Sequence, residues 1–219
     1  MDTFLFFLLG FGYIFLLIWG LLMTKNYGLW NLSNMLLIVI LGLIYDNFII
    51  ALGRFIGEGT VLENLSYIRF WLHALFTPTL ILFAWYIYSN TGLPLAKNTY
   101  WKVLAYLLTI ALILYDLFTS VQGLKLEPAW KNSVLTYNSV EQSGIPMMVI
   151  ILTLVLGVAG LLLTVKFRFA WLLVGVLLII LGSIVSNWIK YFPMMNILEF
   201  LLIVSLLLTK QFLLRKEAA

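Results

Sequence analysis

Seven apolar runs, each about 20 residues long and nearly free of charge, limit what this chain can become more than any other feature. They fall at roughly 3–23, 35–56, 69–89, 102–121, 145–165, 169–190 and 194–214. At about 1.5 Å per residue, a helix of that length crosses the roughly 30 Å hydrocarbon layer of a bilayer. The expectation is an all-α integral membrane protein, a single bundle of about seven transmembrane helices covering 1–219 as one domain. The turns near Lys166 to Arg168 and Lys190 to Pro193 are tight, so the count is held at six to eight.

The composition agrees. Charged residues make up 10% of the 219 and hydrophobic ones 63%, too few charges to solvate the surface of a water-soluble fold. Cysteine is absent, which removes disulfides, thiolate metal sites and thiol nucleophiles together. A net charge of +4 on such a chain reports loop orientation and does not suggest nucleic acid. The first run has no Lys or Arg before it, so it lacks the basic start of a cleavable signal and is expected to remain as the first span.

Basic residues set the orientation. With the N-terminus outside and the C-terminus cytoplasmic, the inner side collects Lys25, Lys97, Lys102, Lys166, Arg168, Lys210, Arg215 and Lys216. The outer side holds Arg54, Arg69, Lys125, Lys131 and Lys190 among Glu58, Glu63, Glu127 and Glu141. The long stretch from Gln122 to Gly144 then lies outside, as a cap on the bundle. The expected location is the bacterial cytoplasmic membrane.

Two runs carry the same polar insertion, Tyr45-Asp46 and Tyr115-Asp116. A carboxylate at membrane depth costs at least a few kcal/mol if left charged and unpaired, so it belongs in a bundle interior or a cavity. Both spans run outward, which places Asp46 and Asp116 at similar depth, able to face one another and share a proton. The shared pair also raises an internal repeat of helical hairpins within spans one to four. Other polar groups gather in the same outer half: Asn47, Arg54, Arg69, His73, Asn187, Lys190, Asn196 and Glu199. The inner half reads as almost purely aliphatic.

From this distribution Asp46, Asp116 and Glu199 are the candidate catalytic acids. The candidate substrate-binding set is Tyr45, Asn47, Phe48, Arg54, Arg69, His73, Phe76, Tyr106, Tyr115, Phe118 and Asn187. Each has a plainer explanation. Buried Asp, Tyr and Asn also serve as interhelical hydrogen-bond partners worth about 1 kcal/mol. Arg54, Arg69 and Lys190 also read as snorkelling anchors, Glu199 as stabilisation of a helix N-terminus, and His73 as a structural hydrogen bond. Pro78 is expected to kink the third span and open space beside His73. Gly53, Gly57, Gly157 and Gly160 read as close-packing positions.

Missing motifs narrow the chemistry. There is no Asp-rich diphosphate-chelating element, Gly-x-Ser-x-Gly elbow or P-loop, and the one histidine excludes a histidine metal cluster. Neither metal nor cofactor is expected. Intramembrane aspartyl proteases also use a Tyr-Asp, but their Gly-x-Gly-Asp partner is missing. A rhodopsin would need a lysine mid-way along the seventh span. In size, aromatic content and buried acids the chain resembles small seven-span integral-membrane terpene cyclases. That resemblance implies acid catalysis on an isoprenoid.

The leading expectation is therefore an enzyme acting on a membrane lipid or isoprenoid that enters from the bilayer, with an aspartate as general acid and aromatic faces stabilising a cation. The alternatives are a small carrier or proton-coupled transporter, and a non-catalytic accessory or sensory subunit. A reporter fused after Ala219 is expected to read cytoplasmic and one inserted near Asn132 external; reversed readings at both would invert the topology.

Overall fold

The apolar runs wind into helices in a computed structural model that describes residues 2–25, 31–93, 98–140, 147–186, 188 and 193–217. The helices are α1 (Asp2–Thr24), α2 (Met35–Ile56), α3 (Thr60–Phe76), α4 (Leu80–Ser89), α5 (Thr99–Asp116), α6 (Met147–Phe167), α7 (Trp171–Ser186) and α8 (Met194–Glu217). Asn98 caps α5 through a side-chain oxygen that accepts from Tyr100 N at 2.9 Å, satisfying a donor the helix cannot.

Six helical segments among the described residues are long and apolar enough to cross a membrane. The sixth run gives α7, only 16 residues long, which rises about 24 Å and falls short of that length. The third is longer than its apolar core suggests, one rod from Thr60 to Ser89. Pro78 interrupts it with a single 3₁₀ turn, Thr77–Thr79, because proline offers no N–H to the ladder. Helix α5 ends in a π turn, Leu117–Val121.

The fold is not purely helical. The stretch expected as a cap contains an antiparallel hairpin, β1 (Leu126–Lys131) and β2 (Val134–Ser139), with Lys131 paired to Val134 across the turn. Its tip holds the start of the chain: Asn132 Nδ2 donates to Asp2 Oδ2 at 2.6 Å, and Thr3 donates to Ser133 O at 3.0 Å. Gly59 N donates to the Tyr137 hydroxyl at 2.9 Å, and Trp130 Nε1 to Glu58 at 2.9 Å. Gly53 faces the Leu135 carbonyl so closely that no Cβ would fit, which lets the hairpin seat on α2. Gly57 does not pack as expected; it ends α2 at φ 81, a turn geometry that favours glycine.

Consecutive helices pack as neighbours, and α8 returns against α1 and α2 to close the bundle. Phe6, Tyr13, Ile40, Phe83, Leu163 and Leu206 are among its fully buried side chains. Asp2 and the hairpin lie at one end. At the other, Tyr86 near the end of α4 donates to Glu217 at 2.9 Å, and Lys216 lies 3.4 Å from the centre of the Phe167 ring.

The aliphatic reading of this second end is wrong in one respect. Lys210, expected as a flanking charge, is fully buried in α8. Its ammonium donates to Asn34 Oδ1 at 2.6 Å, to Thr24 Oγ1 at 3.2 Å and to Gly20 O at 3.5 Å. Thr24 in turn donates to Asn34 at 2.8 Å. An ammonium has three donors, and neutral oxygens from α1 and the start of α2 meet all three. Asn34→Leu is expected to lower stability in detergent by about 1.5–3 kcal/mol, since it removes the nearest acceptor of a buried charge. Lys210→Met should cost less, because it removes charge and donors together and leaves Thr24 bonded to Asn34. A larger loss from Lys210→Met, measured by thermal unfolding, would show that the cluster depends on the charge itself.

Candidate functional site

Toward the hairpin end the helices part around a cavity of about 690 Å³. Helix α2 contributes Asp46, α3 contributes Arg69, His73 and Phe76, the end of α5 contributes Tyr115 and Asp116, and α8 contributes Glu199. Thr119, Ser120 and the stem of the hairpin, including Lys125 and Ser139, complete the mouth. The cavity thus collects all three candidate acids and four of the candidate binding residues.

Each of the two aspartates has a hydrogen-bond partner other than the second aspartate. Asp46 Oδ1 accepts from Arg69 Nε at 2.7 Å, an ion pair that ties α2 to α3. Asp116, nearly fully buried, accepts from Ser120 at 2.7 Å. Each carboxylate thus accepts through Oδ1 from a neighbour of its own. The Tyr-Asp pairs are also in unlike settings: Asp46 lies mid-way along α2, whereas Asp116 is the last residue of α5 before the π turn. Glu199 makes no hydrogen bond to a described residue, and His73 Nδ1 lies 3.3 Å from the Thr77 hydroxyl.

A second cavity of about 210 Å³ adjoins the first, and the two share Val39, His73, Thr77, Val149 and Glu199. Leu80, Leu152, Leu156, Val176, Ile179 and Ile203 line most of the remainder. The junction lies at the break in the third rod: Thr77, in the 3₁₀ turn with Pro78, and His73, one turn earlier, line both spaces.

Several expected residues lie elsewhere. The Tyr45 hydroxyl donates to Leu65 O at 3.0 Å and braces α2 against α3. Asn47 is fully buried, its amide donating to Leu43 O at 2.9 Å while Oδ1 has no partner among the described residues. Phe48 points to α1, edge-on to Phe11 with ring centres 5.3 Å apart. Arg54 is exposed over the Phe55 ring, 5.6 Å from its centre, as an anchor would be. Tyr106 on α5 and Phe118 in the π turn after it are exposed and line neither cavity. Asn187 lies outside the described residues. Of the expected aromatic lining only Phe76 and Tyr115 remain, joined by Phe70, because α5 presents its other rings outward.

Sequence reasoning passed over Tyr13. It is fully buried mid-way along α1, its hydroxyl has no partner among the described residues, and it lies within electrostatic reach of Glu199 and Asp46. A phenol in the middle of an otherwise apolar run was the available signal. Among the described residues no group of three or more His, Asp or Glu side chains is placed to hold a metal ion. The chemistry on offer is proton transfer: two carboxylates and an imidazole facing one space, beside a guanidinium that can hold negative charge.

The ion pair can be weighed by a double-mutant cycle. Asp46→Asn, Arg69→Gln and the double variant are expected to give a coupling of about 1–2 kcal/mol, with the double variant more stable than the single losses summed. Additive losses in denaturant unfolding would show that the pair contributes nothing net. Compared with family models, curated proteins and solved structures, the chain matches none.

Proposed function

We propose that this chain is an integral membrane enzyme acting on a lipid or isoprenoid by acid–base catalysis. One observation carries the reading: a larger chamber of mixed lining, bearing the charged side chains, and a smaller, mostly apolar one meet at His73 and Glu199. A space that changes from mixed to mostly apolar along its length suits an amphiphile, with the headgroup among the charged side chains and the tail between α4, α6, α7 and α8. Binding pockets of this type bury most of a ligand's surface, and about 690 Å³ with a further 210 Å³ is room for a lipid headgroup and part of a chain. The accessory-subunit alternative has less support, since an interior serving only to set helix register needs no such space.

In this reading Glu199 and His73 stand where headgroup and tail join, and Asp116 stands beside the headgroup. These three are the proton-transfer residues; Asp46 is a positioning residue that orients Arg69. The reduced aromatic lining places less weight on cation stabilisation than the resemblance to terpene cyclases implies, and more on proton transfer at a polar headgroup.

The test is purification of the full chain from a lipid-rich host, mass spectrometry of what co-purifies, and assay of the retained lipid class as substrate. An apolar-tailed ligand and its covalent conversion are expected, at a rate unchanged by chelator. Glu199→Gln and Asp116→Asn should each lower turnover by about 10²–10⁴-fold, the usual contribution of a general acid or base, while ligand retention persists. Flux across proteoliposomes without covalent change would instead make the chain a carrier. Retention of no lipid at all would sink both.

A further inference from the structure

We infer that the ligand of this cavity carries an anionic headgroup of the phosphate or carboxylate type, received by Arg69; the inference rests on the lipid reading above. A guanidinium presents its donors as a planar fork, and donors that the protein does not engage on a cavity wall are open to the oxygens of a ligand. Arg69 is partly buried on the wall of the larger cavity, and among the described residues only its Nε is engaged, by Asp46 at 2.7 Å. Neither Nη group has an acceptor among the described residues, although two further carboxylates line the same space. Asp116 is bonded to Ser120 instead, and Glu199 lies across the junction with the apolar chamber.

The geometry makes Asp46 a backing group. By holding Nε it fixes the plane of the guanidinium and leaves the Nη face for a ligand with two oxygens at the spacing that bidentate recognition matches. Lys125 on the hairpin stem adds a second cation at the mouth, and the Thr119 and Ser120 hydroxyls line the same side. The tail of such a molecule has an apolar continuation past His73 and Glu199 into the smaller chamber.

The experiment measures binding of farnesyl phosphate, palmitate, farnesol and inorganic phosphate to the purified full chain in neutral detergent. Farnesyl phosphate or palmitate is expected to bind at least about tenfold more tightly than farnesol, the increment of a charge-assisted bidentate contact. Inorganic phosphate should compete only weakly, lacking a tail. The Asp46→Asn, Arg69→Gln double variant, which leaves no orphaned charge, should lose the preference while still binding farnesol. Farnesol bound as tightly as both anions would overturn the headgroup assignment and leave the lipid reading standing. Binding of none of the three tailed ligands would remove the lipid reading as well. Inorganic phosphate competing as well as farnesyl phosphate would overturn the amphiphile, and an anion preference that survives the double variant would overturn the role of Arg69. If the double variant fails to fold, the wild-type comparison of the anions with farnesol decides alone.

Discussion

The ion pair between Arg69 and Asp46 joins two of the helices that wall the larger cavity, and the other polar groups there are arranged around it. With Asp46 held by a guanidinium, Asp116 takes its own partner one turn on, at Ser120. Glu199 is then left facing the junction of the two chambers without a hydrogen bond to a described residue. A carboxylate in an apolar bundle needs a cation, a donor or water, so the choice of partner at one position limits the choices at the next.

The two polar centres of the bundle do different work. Around the cavity the polar groups are incompletely matched among the described residues: Arg69 has donors to spare and Glu199 accepts no hydrogen bond, while the buried Tyr13 hydroxyl nearby on α1 is also without a partner. At the far end, Lys210 is fully buried, with its ammonium donating to Asn34, Thr24 and Gly20. A satisfied buried cluster rigidifies and sets register, whereas unsatisfied groups facing a cavity are the arrangement a ligand completes. The hairpin connects the first of these centres to the start of the chain. Its tip binds Asp2 and Thr3 while its stem lines the cavity mouth, so the bundle end and the site share one cover.

How much was legible depended on the range of the physics. Asp46, Asp116, Glu199, Arg69 and His73 stood out because an ionisable residue in a long apolar run is costly wherever the run goes, and they do converge. Phe48, Tyr106 and Phe118 misled because an aromatic is equally at home against lipid or against protein, and its rotational position on the helix is decided by neighbours. Lys210 misled in the opposite sense. Near the end of the last run it read as a flanking charge, and only the fold brings three oxygens from α1 and the start of α2 to its ammonium.

The sequence by itself determined the helices, their approximate ends, the break at Pro78 and the collection of acids toward one end. These follow from hydrophobic length, backbone hydrogen bonding and the cost of charge, all of which act within one segment. The tertiary structure alone decided the partners: Asp46 with Arg69 rather than Asp116, Lys210 with Asn34, the hairpin on Gly53, and the larger chamber opening into a mostly apolar one. Hydrogen bonds and ion pairs have a reach of about 3 Å, so residues 23 or 176 positions apart can be matched only once packing has placed their helices side by side.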